Sequence, residues 1–335
     1  MKAAVIYGPK DIRVEDVPLP SLEADEVLVK VKVCGVCPFD MRAYTGVKKI
    51  SKPTVLGHEI SGVVEDLGSG VNDVRIGDRV ALDLAIRCGK CRYCRAGKGN
   101  LCTNLGPLPG AFAEYTKAPV SNVFKIPEGL SFEEASFTEP LSSSLNGLER
   151  GQVRLGDNVV IIGAGQIGLM LVQLARLSGA QVFVSDVVED RRKLAMELGA
   201  NVAIDPSKED PVERVKDLTD NFGADVVIIA VGNTKAIEDG IRMTGKAGRI
   251  VLFGAVWPQT VIQTDPNHIH YDEIVITGAE MRTLDQFSRS LDLLARGKIN
   301  VKILITNRFP LERIKDAFET ALRGEGTKNL IEFDL

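Results

Sequence analysis

The spacing of apolar residues divides this chain into two kinds of segment. Up to about residue 140, short alternating segments such as 26–33 and 60–68 are separated by Gly, Pro and Asp, which is typical of strands joined by turns. From about residue 156, continuous apolar runs alternate with segments of helical period. The runs that we predict as strands are 159–162, 181–186, 201–205, 224–232, 248–256 and 273–279.

These patterns predict an α/β protein with two domains. Six apolar strands with helical crossovers indicate a doubly wound parallel sheet covered on both faces, the Rossmann architecture that binds nucleotides. We expect this Rossmann domain over residues 144–280. It would interrupt a β-rich domain made of residues 1–143 and 281–335, and a chain of 335 residues is long enough for both.

Composition and charge exclude several classes of function. A net charge of −4 gives no general attraction to phosphate backbones, so we expect no nucleic acid partner. No apolar run reaches the roughly 18 residues of a membrane span. The N-terminal segment also lacks the apolar stretch and cleavage site of a signal peptide. We therefore expect a cytoplasmic protein without a membrane partner, whose six cysteines are thiols or metal ligands.

A glycine-rich turn, GAGQIG, directly follows the predicted strand 159–162 and opens a helix. Gly163 would permit a tight turn, Gly165 would let a pyrophosphate approach the helix N-terminus, and Gly168 would let helix and strand pack closely. A glycine turn without any ligand is the alternative. The predicted cofactor-binding residues in this region are Gly163, Gly165, Gln166, Ile167, Gly168, Asp186 and Arg191.

Asp186 decides which dinucleotide the turn would prefer. It ends the strand after the glycine turn, where a carboxylate can accept both hydroxyls of the adenosine ribose and repel a 2′-phosphate. This favours NAD over NADP. Arg191 lies close in sequence, and an arginine there could instead accept the 2′-phosphate.

Four cysteines lie within fifteen residues, with the spacing C-x2-C-x2-C-x7-C. Four thiolates match the soft ligands and closed shell of a tetrahedral structural zinc. An iron–sulfur cluster uses similar spacing and is the alternative. The predicted structural zinc ligands are Cys88, Cys91, Cys94 and Cys102.

A second constellation combines VCGVCPFD with GHEISG. Cys37, His58 and a later carboxylate could hold a metal with an open coordination position, as a catalytic zinc requires. Asp40 could orient the His58 imidazole. Two alternatives stay open on spacing alone: a buried thiol with a structural histidine, or a redox pair formed by Cys34 and Cys37.

Together, CGVCxxD, GHExxG, GDRV, the four-cysteine lobe, GAFAEY and GAGQIG resemble the zinc-containing medium-chain alcohol dehydrogenases. The resemblance follows the family's order through nearly the whole chain. Residues 139–149 and 308–320 resemble the sorbitol (polyol) dehydrogenase branch. The resemblance implies a GroES-like catalytic domain beside the Rossmann domain. It also implies hydride transfer between NAD and a small secondary alcohol, namely a polyol, cyclitol or sugar derivative.

The family pattern also implies roles for individual residues. Catalytic zinc would bind Cys37 and His58, with Glu59 and Glu139 as further ligands, directly or through water. Arg282 would contact the substrate, and Met281 would belong to the cofactor site. With the four-cysteine lobe, the expectation is two zinc ions per subunit, one catalytic and one structural. A homodimer or homotetramer is expected.

Two positions depart from the family pattern. The family commonly has a hydroxyl residue where this chain has Phe39, and a histidine where it has Arg42. The usual proton relay is therefore missing, and Arg42 could favour a substrate with a phosphate or carboxylate. Alternatives to a polyol dehydrogenase are an L-threonine 3-dehydrogenase-type enzyme or an inactive nucleotide-binding relative. Zinc-free quinone reductases of the same superfamily lack the cysteine lobe, so we do not expect this chain to be one of them.

Overall fold

The computed structural model describes residues 1–50, 53–106 and 109–333 of the chain. In chain order, the strands are β1 Lys2–Gly8, β2 Asp11–Asp16, β3 Glu26–Gly35, β4 Thr54–Val55, β5 Glu59–Leu67, β6 Arg79–Asp83, β7 Tyr115–Pro119, β8 Val123–Lys125, β9 Asn158–Ile162, β10 Gln181–Ser185, β11 Val202–Ile204, β12 Ala224–Ile229, β13 Thr244–Leu252, β14 Val275–Gly278, β15 Ile305–Pro310 and β16 Lys328–Glu332. The α-helices are α1 Pro38–Tyr44, α2 Arg92–Arg95, α3 Phe132–Ser136, α4 Thr138–Arg150, α5 Gln166–Leu177, α6 Glu189–Glu197, α7 Pro211–Leu218, α8 Thr234–Arg242, α9 Pro266–Tyr271, α10 Leu284–Ala295 and α11 Ile314–Leu322.

The chain divides into two compact units. The first comprises Met1–Ser142 with Thr283–Leu335, and the second comprises Ser143–Arg282. These bounds lie within two residues of the domain limits that we expect from the sequence. No helix among the described residues is long and apolar enough to cross a membrane.

The second unit is built on a six-stranded parallel sheet with the order β11-β10-β9-β12-β13-β14. Counted from β9, this is the 3-2-1-4-5-6 order of the Rossmann fold. The central strands carry apolar residues on both faces, and Val159, Val160 and Ile161 are fully buried. Continuous apolar runs form such strands because helices cover both sides of the sheet. The predicted α/β class and all six predicted strands are confirmed.

The first unit holds two sheets. The larger one has the order β15-β16-β3-β5-β6-β8, with β7 also paired to β3, and the smaller one has the order β2-β1-β4. The alternating pattern of the N-terminal segments arises because each strand buries one face in a common core that includes Val29, Ile60 and Phe318. Strand β3 pairs antiparallel with β5 over most of its length. This pairing positions the candidate metal-ligating residues described next.

Candidate zinc sites and nucleotide site

The glycine-rich turn has the geometry of a dinucleotide site. Gly163 has a φ of 98°, which a residue with a side chain rarely adopts. A Cβ on Gly168 would lie 2.8 Å from the carbonyl carbon of Gly163, so only glycine lets α5 begin this close to β9. A Cβ on Gly165 would meet no atom within 4 Å, so open space lies beside the N-terminus of α5. The side-chain nitrogen of Gln166, the first residue of α5, is buried there without a hydrogen-bond partner among the described residues.

Asp186 is bound tightly at the end of β10. Its carboxylate accepts hydrogen bonds from the backbone N–H of Ala164 at 2.7 Å and of Val188 at 2.8 Å. Arg192 donates to the Asp186 carbonyl and pairs with Asp205 at 2.7 Å, which occupies its guanidinium. The partly buried Arg191 makes no ion pair or side-chain hydrogen bond with any described residue. The two arginines near the predicted ribose position therefore differ, since only Arg192 is held in an ion pair.

The four cysteines of the lobe come together around the short helix α2. The sulfur atoms of Cys88, Cys91, Cys94 and Cys102 all lie within 4.8 Å of one another. Backbone N–H groups point at these sulfurs, as in the 3.5 Å contact from the Cys94 N–H to Cys91. Hydrogen bonds from the backbone of Cys94 and Thr103 lower the pKa of Cys91 to about 5. Desolvation and hydrogen bonds with neighbouring thiols raise the pKa of Cys94 to about 12, and a bound metal ion would displace its proton. Four sulfur donors gathered this closely suit a tetrahedral zinc with a closed shell.

A second group of ligand atoms lies at one end of the β3–β5 pair. The donor atoms of Cys37, His58 and Glu59 all lie within 4.8 Å of one another. Gly35 at the end of β3 pairs with Glu59 at the start of β5, so residues 24 positions apart in the chain become neighbours. Cys37 precedes α1 as its N-cap. The antiparallel register therefore assembles a thiol, an imidazole and a carboxylate, a donor set that suits a catalytic zinc.

The charges around Cys37 show why this group suits a cation. Burial, together with the negative charges of Asp40 and Glu139, raises the pKa of the Cys37 thiol to about 12. Without a cation, the thiol therefore stays protonated at neutral pH. A metal ion would replace that proton, because metal-bound cysteine is a thiolate.

Asp40 holds the backbone around the ligands more closely than it holds the imidazole. Its carboxylate accepts hydrogen bonds from the N–H groups of Cys37 at 3.0 Å and of Gly57 at 3.4 Å. The His58 Nδ1 lies 3.7 Å from Asp40, which is ion-pair range but longer than a hydrogen bond. That Asp40 orients the imidazole stays a prediction. The hydrogen bonds of its carboxylate fix the backbone of Cys37 and of Gly57, the residue before His58.

The other predicted site residues are more dispersed. Glu139, the second residue of α4, is buried, and its charge acts on Cys37, yet it is not part of the group within 4.8 Å. The Phe39 ring meets the His58 ring edge-on, with 5.5 Å between centroids. Arg42 lies in the last turn of α1 and is partly buried. Arg282 and Met281 end the second unit, where Arg282 is buried and Met281 has a positive φ of 53°.

Lys328 is a residue of this region that the sequence does not point to. It begins β16, and its ammonium contacts the Glu59 carboxylate and donates to the Val36 carbonyl at 3.0 Å. Burial lowers the pKa of Lys328 to about 8, although the negative charges of Cys37 and Asp40 oppose this. The sequence gives no local signal for this contact, because the partner of Lys328 lies 269 positions away.

Comparison with known proteins identifies the family. Residues 23–128 match the alcohol dehydrogenase GroES-like domain, and residues 167–296 match the zinc-binding dehydrogenase family. Sorbitol dehydrogenase of Bacillus subtilis is 34% identical over 96% of this chain and 94% of its own. The chain belongs to the zinc-containing alcohol dehydrogenases.

Two further relatives extend the comparison. D-arabitol-phosphate dehydrogenase of Enterococcus avium is 32% identical, over 95% of this chain and 92% of its own. A zinc-binding dehydrogenase of Sinorhizobium meliloti, solved with NADP bound, superposes with a TM-score of 0.94 at 34% identity and 99% coverage of both chains. The predicted family, close to its sorbitol dehydrogenase branch, and the predicted class of zinc oxidoreductase are confirmed.

Proposed function

We propose that this protein oxidises a secondary alcohol of a polyol, cyclitol or sugar derivative to the ketone, with NAD as the hydride acceptor. One observation carries the proposal: a thiol, an imidazole and a carboxylate converge within 4.8 Å in a chain that also builds a dinucleotide turn. The alcohol would lose a hydride from carbon to NAD and a proton from oxygen, giving ketone, NADH and H⁺.

The residues of the first unit would prepare the alcohol for this step. Zinc bound by Cys37, His58 and Glu59 would act as a Lewis acid that lowers the pKa of the alcohol. Phe39 has no hydroxyl and cannot take the proton. We assign that role to Glu139, because it is a buried carboxylate close enough to influence Cys37 and a carboxylate can accept a proton at neutral pH.

The second unit would bind the dinucleotide. The open space at Gly165, the N-terminus of α5 and the unpartnered Gln166 amide favour a pyrophosphate there. The Asp186 carboxylate favours NAD, since it would repel a 2′-phosphate. Met281, Arg191 and Ile167 are the further cofactor contacts of this proposal, and Arg282 is its substrate contact.

A phosphorylated polyol is the second candidate substrate, favoured by one feature of the structure. The Lys48 ammonium lies 3.7 Å from the centroid of the Phe39 ring, whose other neighbour is the zinc ligand His58. Arg42, on the same helix as Phe39, forms no ion pair with any described residue. A cation over the ring that meets this imidazole, with a second cation on the same helix, suits an anionic group on the substrate. One relative bears the name D-arabitol-phosphate dehydrogenase.

The proposal includes two zinc ions per subunit, because the two ligand groups are separate. It also includes a homodimer or homotetramer. The sheet of the second unit ends at β14, where Val275 is 53% exposed, and such an edge favours pairing with another copy. All six cysteines are free thiols, which supports a cytoplasmic location.

A dehydrogenase screen would test the function. Purified protein with zinc is mixed with NAD and one alcohol at a time, and NADH is followed by its absorbance. The panel pairs alditols and cyclitols with their phosphates, and it includes L-threonine. We expect turnover of a polyol or its phosphate, and none in the Cys37→Ser variant.

Three outcomes would change the assignment. Turnover of L-threonine alone would favour the threonine dehydrogenase alternative. Activity that Cys37→Ser retains would exclude the proposed zinc centre. Bound zinc and NAD without turnover on the whole panel would favour an inactive nucleotide-binding relative.

A further inference from the structure

Lys328 places a buried positive charge against a candidate zinc ligand. The side chains of Lys328 and Glu59 are 1% and 2% exposed, so neither reaches solvent. One carboxylate oxygen of Glu59 contacts the ammonium, while the same residue contributes a donor atom to the group with Cys37 and His58. Glu59 therefore lies between the position of a metal ion and a fixed cation.

The surrounding backbone leaves room for this pair and for little else. A Cβ on Gly35 would lie 2.6 Å from the Lys328 Cε and 2.8 Å from its Nζ, so the pair requires glycine at this strand position. The Val36 carbonyl accepts a second hydrogen bond from the ammonium at 3.0 Å. The ring of Phe137 lies 5.8 Å from Nζ, and Phe137 itself is fully buried. The ammonium is thus held in place from several sides.

We propose that Lys328 is a positioning residue that holds Glu59 and limits how strongly this carboxylate binds the zinc ion. The inference rests on the proposed function, since it assumes zinc at Cys37 and His58. A carboxylate that donates electron density to an ammonium has less to donate to a metal. Lys328 also adds a positive charge that opposes the binding of a cation nearby. Both effects keep the zinc ion a stronger Lewis acid than it would be beside a Glu59 carboxylate without the ammonium.

The test is the rate at which zinc leaves the site. Zinc-loaded full-length protein is mixed with excess coloured chelator, and the kinetic phase that is missing in Cys37→Ser is assigned to this site. We expect Lys328→Met, which is neutral and similar in length, to slow that phase about tenfold, since Glu59 is freed to bind the metal. Lys315→Met, an exposed lysine on α11, is the matched control and should leave the rate unchanged.

A second pair of variants separates action through Glu59 from a general effect of charge. Glu59→Gln removes the anionic ligand, and in that background Lys328→Met should slow release by less than it does in wild type, because only its direct charge effect remains. Equal slowing in both backgrounds would overturn the role assigned through Glu59. Cobalt(II) substituted at this site gives a second readout, because its visible spectrum changes when an additional oxygen binds the metal. We expect the spectrum to change in Lys328→Met but not between Glu59→Gln and the double variant.

Loss of folding in Lys328→Met would leave the test intact. Lys328→Gln keeps an N–H donor for the Val36 carbonyl while losing the charge, and it should slow release in the same direction, by less. Wild-type release rates and cobalt spectra in both Lys328 variants, with a lowered melting temperature, would show a purely structural role and overturn the inference. Faster release would also overturn it. A wild-type protein with no Cys37-dependent zinc phase would contradict the proposed function itself.

Discussion

Two glycines of the dinucleotide turn allow a matched pair of substitutions that separates cofactor binding from folding. Gly165→Ala and Gly168→Ala each add one methyl group to the same turn. At Gly165 that methyl group meets no protein atom within 4 Å, and φ is an ordinary −73°. At Gly168 it lies 2.8 Å from the Gly163 carbonyl carbon, closer than any real Cβ contact, and 3.6 Å from Ile161.

The structure gives the expected magnitudes. Gly165 is the N-cap of α5, where Ala is a poorer cap than Gly by about 0.5–1 kcal/mol. Alanine also reduces the conformational freedom of the unfolded chain, which stabilises the folded protein by about 0.4–1 kcal/mol. The two effects oppose each other, so the unfolding free energy should change by less than about 1 kcal/mol. Gly168→Ala must displace a backbone carbonyl in a packed turn, and should cost about 2–3 kcal/mol.

Affinity for the cofactor should fall in both variants, whereas the unfolding free energy should fall clearly only in Gly168→Ala. If the open space at Gly165 receives a pyrophosphate, its methyl group should raise the Kd for NADH about tenfold or more, about 1.4 kcal/mol. Gly168→Ala should lose both affinity and stability. The assays are NADH fluorescence titration and urea unfolding.

A stable Gly165→Ala protein that binds NADH as tightly as wild type would refute the placement of the pyrophosphate. Equal unfolding free energies for Gly168→Ala and wild type would refute the packing argument.

Three further predictions follow from the remaining site residues. Elemental analysis should find two zinc ions per subunit; one metal ion per subunit, or iron with acid-labile sulfide, would contradict this count. Cys91→Ser should lower the melting temperature, because the zinc of the four-cysteine lobe is lost. Wild type should prefer NAD over NADP by about tenfold in kcat/KM, and Asp186→Asn should narrow that ratio. Asp186→Ala should also destabilise the fold by about 2 kcal/mol, because the buried N–H of Ala164 and the partly buried N–H of Val188 lose their acceptor. Glu139→Gln should keep zinc and NAD binding but lower kcat about a hundredfold. Full activity of this variant across the pH range would exclude Glu139 as the proton acceptor. Phe39→Ser should be tolerated.

The fold was predictable because its signals are local. Each strand of the parallel sheet is a continuous apolar run, as in β12, where Val226, Val227, Ile228 and Ile229 are fully buried. Each run is separated from the next by a segment of helical period. Residues within one run can therefore be assigned without knowing their neighbours in space.

The candidate catalytic site was only partly predictable, because its contacts are long-range. Cys37 and His58 stand out by residue type, yet only the register between β3 and β5 brings them together. The Asp40 carboxylate accepts hydrogen bonds from two backbone N–H groups, which no motif reveals. Glu139 shares a motif with the family but does not join the group of three donor atoms.

Lys328 shows how the two halves of the first unit depend on each other. The ligands arise from β3, α1 and β5 near the N-terminus, whereas the cation that contacts Glu59 comes from β16, beyond the whole second unit in sequence. Residues Leu330–Glu332 of β16 pair with β3 directly, so the same strand pairing that completes the sheet delivers the ammonium to the carboxylate. A buried ion pair of this kind is costly to break from one side, because the remaining charge stays without a partner. The charge balance at the proposed zinc ion is therefore set by the last strand of the chain, although every one of its candidate ligands lies before residue 140.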